Sequence, residues 1–316
     1  GNDFRSASGE PGPRYWQNRA DYAIQCKLDT GTHTLTGDVV ITYTNNSPDA
    51  LRFIWLQLDQ NIYKKDSRAS ATTTETGGRW ANGGFTNGYE ISNLQIESAG
   101  VYAPASNTIT NDIPEYGTDR MGRLNTEKGM IYEVAQWFPR VAVYDDVQGW
   151  NTLPYLGAGE FYLEYGDIEF SVTAPANLIV VGSGELLNTK ECYTAEQQKR
   201  WDAAAKSNTT VAIRAANEVG QASSRPAAAE LTWRFKITNT RDAAWAASKA
   251  FIVDAAKIDL PSGKKCMAIS AYPEESVGKN GWQRSTEMVK GAIEHYSKKW
   301  FEFPYPAATN VAGIVG

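Results

Sequence analysis

Apolar residues fall at every second position in run after run of this sequence, and that period constrains the fold more than any other feature. Tyr22, Ile24, Cys26 and Leu28 alternate with other residues, and after the turn-forming Asp29-Thr30-Gly31-Thr32 the alternation resumes at Leu35, Val39, Ile41 and Tyr43. Successive side chains of a strand point to opposite faces, so two such runs joined by turn residues predict a β-hairpin. Leu231, Trp233, Phe235 and Ile237 repeat the period. Residues 51–58 are apolar at both parities, Leu51, Phe53 and Trp55 against Ile54, Leu56 and Leu58, which predicts a central strand covered on both faces. Strands are also expected at 89–96, 130–135, 160–172, 178–182 and 209–214, with an excursion loop in the Ser-, Thr-, Gly- and Asn-rich stretch 64–88. So many strands joined by turns describe a mainly β chain, a β-sandwich or saddle-shaped sheet.

One helix interrupts the strands at 194–206, where Thr194 and Gln197 have the spacing of a capping box. After Thr240 the pattern changes. Residues 243–247 are small and helical, 264–271 read as a strand, and 281–300 as a long helix with Trp282, Val289, Ala292, Ile293, Tyr296 and Trp300 on one apolar face. Phe303-Pro304-Tyr305-Pro306 follows, and then an apolar strand through Gly316. A chain of 316 residues exceeds one typical domain. The expected division is a β domain over 1–240 and the first strands and helix of an incomplete α+β lobe over 241–316.

Charge narrows the partners. Lys and Arg number 31 against 36 Asp and Glu, a net charge of −5 with no basic block, which argues against nucleic acid. No window reaches the 18 or so apolar residues that a membrane-spanning helix needs. The opening Gly1-Asn2-Asp3-Phe4 lacks an initiator Met, consistent with a removed leader and an extracytoplasmic location. Cys26, Cys192 and Cys266 are odd in number and far apart, so they predict packing residues rather than a disulfide framework or a Cys-x-x-Cys metal site.

Several segments together resemble a known family. They are Tyr22-Ala23-Ile24 with Leu28-Asp29 and His33-Thr34-Leu35-Thr36-Gly37; Ile54-Trp55-Leu56-Gln57-Leu58-Asp59-Gln60-Asn61; and Gln136-Trp137-Phe138-Pro139-Arg140-Val141-Ala142-Val143-Tyr144-Asp145-Asp146. Gly149-Trp150-Asn151, Gly159 to Asp167, and Thr240-Arg241-Asp242 leading to Trp245-Ala246 add to them. The pattern is similar to that of the membrane alanyl aminopeptidases, the gluzincin relatives of aminopeptidase N and leukotriene hydrolase, in particular their bacterial extracytoplasmic branch. The resemblance implies a saddle-like β domain followed by a thermolysin-like lobe. It implies a Zn2+ cofactor and peptide substrates for a longer parent protein. It also implies that Gln136 faces the amino end of the substrate and that Gly316 opens a Gly-x-Met-Glu-Asn type exopeptidase motif beside it.

The family's zinc centre would need His-Glu-x-x-His and a downstream Glu, and the sequence contains neither. Its two histidines, His33 and His295, stand in no ligand pattern, so no catalytic and no metal-binding residue is expected in this chain. Asp145 with Asp146, and Glu160 with Glu164, could be read as glycosidase carboxylates near Trp150 and Tyr162; the simpler reading is the solvated face of a strand. The expected function is therefore the non-catalytic front portion of a zinc metallo-aminopeptidase. The alternative is a stand-alone binding or scaffold module. The segment after Thr240 is expected to be the less stable part and to favour self-association.

Overall fold

The computed structural model describes residues 1–67, 86–96, 107–114, 120–153, 162–278 and 281–314. The alternating runs become the long strands of a seven-stranded sheet. Arg19–Asp29 pairs antiparallel with Thr34–Thr44, Arg19 opposite Thr44 and Asp29 opposite Thr34, and runs parallel to Gly166–Pro175 on its other side. Glu230–Thr240 follows antiparallel, setting Trp233 beside Val172 and Phe235 beside Phe170. Glu185–Leu186 forms one edge, and Asn107–Asp112 then Glu90–Ser92 the other. Ala20, Tyr22, Ile24, Cys26 and Leu28 are buried on one face while Ala23, Gln25, Lys27 and Asp29 meet solvent on the other, as the period requires.

A four-stranded sheet in the order Ile179–Gly182, Trp245–Ser248, Gly129–Val134 and Met121–Thr126 shares one hydrophobic core with the first. Aromatic edges join the two layers. Trp137 meets Phe170 and Trp245 at ring-centre distances of 6.0 and 6.1 Å, and Phe138 meets Tyr22 at 5.2 Å. A third sheet, Val211–Arg214, Ile252–Asp259, Lys265–Tyr272 and Ala307–Val311, carries the Ser285–Lys299 helix, which crosses over between the two parallel strands Lys265–Tyr272 and Ala307–Val311. Strands from both sides of Thr240 share these last two sheets, since Trp245–Ser248 lies between earlier strands and Val211–Arg214 pairs with Ile252–Asp259. The fold is mainly β.

The helix expected at 194–206 forms at Ala195–Ala204, with Thr194 and Gln197 closing a capping box. Three expectations need correction. Residues 243–247 are not helical: Trp245–Ser248 is a buried strand whose small Ala246 and Ala247 pack between two neighbouring strands, so sheet pairing overrides their helix propensity. Residues 51–58 are not a covered central strand, because only Leu56–Gln57 pairs, with Arg140–Val141, and Phe53 is 59% exposed. Apolar residues at both parities describe a surface ledge as well as a buried strand, and here Phe53 stacks on Trp150 and meets Trp55 edge-on. The long helix does not have one apolar face either. Val289 and Ile293 pack on Ile258, Leu260, Cys266 and Ala268, whereas Tyr296 and Trp300 point away from the sheet. Residues 68–85 of the expected loop, Glu160 and Phe161 of the expected strand at 160–172, and Val315 with Gly316 lie outside the described residues.

Candidate functional site

The strand Gly129–Val134 ends at a turn that places Gln136 at the meeting point of three elements. Gln136 has φ +52°, a left-handed conformation that non-glycine residues adopt only when their surroundings enforce it, at a cost of about 1–3 kcal/mol. The enforcement is visible: the Gln136 carbonyl accepts hydrogen bonds from the Tyr89 hydroxyl at 2.6 Å and from Gln60 Nε2 at 3.2 Å. Immediately after it, Trp137 and Phe138 are fully buried, and Trp137 Nε1 donates to the Ala243 carbonyl at 2.9 Å. These anchors leave the Gln136 side chain buried, with its Oε1 lacking a hydrogen-bond partner among the described residues. A buried amide oxygen without a donor is costly, which makes it a candidate for a group that a ligand satisfies.

Beneath the turn lies a buried ion triad. Arg140 Nε donates to Asp59 Oδ2 at 2.9 Å, its Nη2 donates to the same oxygen, and Nη1 donates to Asp242 Oδ2 at 2.8 Å. Desolvation opposes the charge on Arg140, but Asp242 and Asp59 outweigh it and the guanidinium is held more firmly protonated than usual. Burial pushes the Asp242 carboxyl above the ordinary range while Arg140 pulls it back. Tyr89, buried beside Asp59, is held firmly protonated, so its hydroxyl remains a donor to Gln136. The triad fixes the turn between the Asp59–Tyr63 helical turn, the Arg140–Val141 strand and the segment after Thr240.

Two clefts flank this cluster. One, of about 180 Å3, is bordered by Arg120, Glu133, Ala135, Ser183 and Thr309. The other, of about 340 Å3, shares Ser183 and Thr309 and has Asp242, Thr240 and Tyr305 in its wall. Thr309 Oγ1 donates to the Gly182 carbonyl at 3.3 Å, tying the Ala307–Val311 strand to the β layers. Glu133 holds the next residues: its Oε2 accepts from the Ile314 amide at 2.6 Å. Gly313 makes this approach possible, because a Cβ there would lie 2.2 Å from the Glu133 carboxyl carbon. The chain thereby passes the Gly129–Val134 strand that precedes Gln136, and Gly316 lies outside the described residues.

The histidines do not converge on this site. His33 Nδ1 is 2.8 Å from the Tyr132 hydroxyl, and His295 sits exposed with its ring edge against Tyr296 at 5.4 Å. Among the described residues no group of three or more His, Cys, Asp or Glu side chains is placed to hold a metal ion. The donor set therefore does not fit a zinc centre, and no step of zinc chemistry is assigned to it. The carboxylates near Trp150 are engaged as well. Asp146 receives Arg5 in a two-pronged contact at 2.7 and 2.8 Å, and Asp145 accepts from the Val147 and Gln148 amides and from the Tyr162 hydroxyl. Burial pushes the Glu164 carboxyl up to about 7, against the Tyr144 amide that it accepts from and with Asp145 adding to the rise.

Sequence reasoning reached Gln136 but missed Asp59, Arg140, Asp242, Tyr89 and Glu133. The first three stand in the segments that carry the family resemblance, so charged residues inside otherwise apolar matching stretches were the available signal.

Neither a protein-family model nor a curated protein matches the sequence. Solved structures do. A two-domain M1 zinc metallopeptidase bound to L-tryptophan is 12% identical with a TM-score of 0.46, over 96% of this chain and 58% of that one. An M1 zinc metallopeptidase from Deinococcus radiodurans is 12% identical with a TM-score of 0.43, over 97% of this chain and 58% of that one. Aminopeptidase A from Legionella pneumophila in complex with aspartic acid is 12% identical with a TM-score of 0.41, over 97% of this chain and 30% of that one. This chain thus spans between 30% and 58% of the length of these proteins. TM-scores below 0.5 do not fix its family.

Proposed function

We propose that this chain is the non-catalytic front portion of a zinc metallo-aminopeptidase, with the zinc ligands and general base supplied by sequence beyond Gly316. In this reading Gln136 accepts a hydrogen bond from the free amino end of a peptide, and the backbone near Gly316 runs beside it. The observation that carries the reading is Gln136, whose backbone carbonyl is held by Tyr89 and Gln60 at a strained turn while its buried side-chain Oε1 has no hydrogen-bond partner among the described residues. The segments that resemble the alanyl aminopeptidases support it. The division near Thr240 and an extracytoplasmic location belong to the same proposal. Among the described residues, no helix is long and apolar enough to cross a membrane.

The test has two arms. The coding sequence past Gly316 should encode His-Glu-x-x-His; its absence would favour a stand-alone binding or scaffold module. In the encoded full-length enzyme, Gln136→Ala should lower kcat/KM by about 10- to 100-fold, since a hydrogen bond to a charged amine contributes about 1.5–3 kcal/mol. Peptides with blocked amino termini should show no further loss. An unchanged kcat/KM would reduce Gln136 to a turn residue.

A further inference from the structure

The four-stranded sheet ends in a trough. Its last paired rung sets Gly182, Trp245 and Val134 side by side, and a Cβ at Gly182 would meet the Phe170 ring at 3.1 Å, so this rung faces the core. Side chains alternate along a strand, so the rungs before and after it face the other way, into the cleft of about 180 Å3. Ala246 and Glu133 stand on the rung before. On the rung after, the Ser183 amide donates to the Ala244 carbonyl and the Ala135 amide to the Arg120 carbonyl, which sets Ser183, Ala244, Ala135 and Arg120 in a row. Alanines at 135, 244 and 246 therefore make an apolar floor with Arg120 at one end.

Arg120 is partly buried and has no anion to hold. Its Nε is shut off from solvent without a hydrogen-bond partner, and among the described residues its guanidinium forms no hydrogen bond and no ion pair. The nearby carboxylates are engaged elsewhere. Glu133, the diagonal neighbour on the adjacent strand, turns its Oε2 to the Ile314 amide at 2.6 Å. Asp242 is close enough for Arg120 to favour its charge, but its Oδ2 accepts from Arg140 and its Oδ1 from the Ala243 amide. A guanidinium kept from water without a counter-charge is costly, and its planar fork fits a carboxylate through two parallel hydrogen bonds. We propose that this cleft binds a small carboxylate, its anionic end on Arg120 and an aliphatic tail along Ala135 and Ala244. The volume equals that of about six waters at about 30 Å3 each, which suits an acid of about eight non-hydrogen atoms. The proposal does not rest on the peptidase reading.

Ligand-observed NMR on the 316-residue chain tests it, with 4-methylpentanoate as the probe and ionic strength held constant with chloride. A dissociation constant on the order of 1 mM is expected, and the neutral 4-methylpentanamide should bind about tenfold more weakly. Arg120→Gln should weaken binding of the acid by about tenfold and leave that of the amide unaffected. Arg120→Lys keeps the charge but loses the fork, and should fall between the two. Because the cation has no partner to lose, the thermal melt of Arg120→Gln should equal the parent's or lie above it. Ala244→Leu, at a position half open to the cleft, should block the tail while Arg120 stays. Acetyl-glycyl-leucine separates two sources of a carboxylate: binding tighter than that of 4-methylpentanoate assigns the cleft to the carboxyl end of a peptide, weaker binding to a free acid. Absence of binding, equal binding of acid and amide, displacement of the acid by inorganic phosphate at equal concentration, an Ala244→Leu variant that binds like the parent, or a lower melt for Arg120→Gln would each overturn the proposal.

Discussion

Gln136 carries two costs at once, a left-handed backbone and a buried oxygen with no donor among the described residues. Replacing it with Ala and with Gly separates them. Both variants lose the side-chain amide, but only Gly adopts φ +52° freely, so Gln136→Gly should be more stable than Gln136→Ala by about 1 kcal/mol, the reverse of their order in a helix or strand. Denaturant unfolding of the two proteins measures it; equal stability would mean that the turn relaxes. Glu164 makes a pH-dependent contribution. Its carboxyl titrates near 4.5 when unfolded and at about 7 when folded, chiefly through burial. Below pH 4.5 both states hold the proton; between 4.5 and 7 the folded chain keeps it and the unfolded chain releases it, so stability falls as pH rises through that window. Glu164→Gln should therefore gain about 1 kcal/mol over the parent at pH 8, after solvent screening of a half-buried group, and nothing at pH 4.5. Thermal melts at the two pH values decide it, and a gain at both would assign the effect to packing.

Elements with a single-valued period were legible in the sequence. The hairpin at Arg19–Asp29 and Thr34–Thr44 and the Thr194–Gln197 cap are fixed by residues close in the chain. Residues 51–58 misled because two apolar parities do not say whether other elements cover them. The Ser285–Lys299 helix misled because its apolar residues divide into an inner stripe at Val289 and Ile293 and an outer one at Tyr296 and Trp300. The site was less legible than the fold. Arg140 meets Asp59 and Asp242 from 81 and 102 residues away, and no local pattern announces such a meeting. The insertion of Trp245–Ser248 between earlier strands bears on stability in the same way. Low protection everywhere after Thr240 follows from chain order alone, but Ile252–Asp259 and Lys265–Tyr272 are largely buried whereas Ala307–Val311 is half-buried throughout. Hydrogen exchange should therefore be as slow in the first two as in Glu230–Thr240 and clearly faster in Ala307–Val311. Fast exchange across all three would restore the sharper division at Thr240.

At the scale of the whole molecule the question is whether the chain can assemble a metal centre by any rearrangement short of unfolding. Tight zinc binding takes imidazole or thiolate ligands brought together at about 2 Å from one ion. Both histidines and all three cysteines lie among the described residues, so their positions can be compared directly. Cys26 is on the first sheet, Cys192 on the short Thr189–Cys192 helix and Cys266 on the third sheet, each buried. Burial pushes Cys192 up to about 12 and Cys266 up to about 11, and raises Cys26 further, so all three stay protonated near neutrality and are poor ligands. His33 is held by Tyr132 and His295 stands exposed on the last helix. Surface carboxylates of a chain with net charge −5 would gather zinc only loosely. After dialysis the purified chain should accordingly hold well under one zinc per molecule by elemental analysis, and it should release no amino acid from chromogenic aminoacyl substrates with or without added zinc. One retained zinc per chain, together with hydrolysis that a chelator abolishes, would mean that these 316 residues carry a centre of their own and that the catalytic role assigned to sequence beyond Gly316 is misplaced.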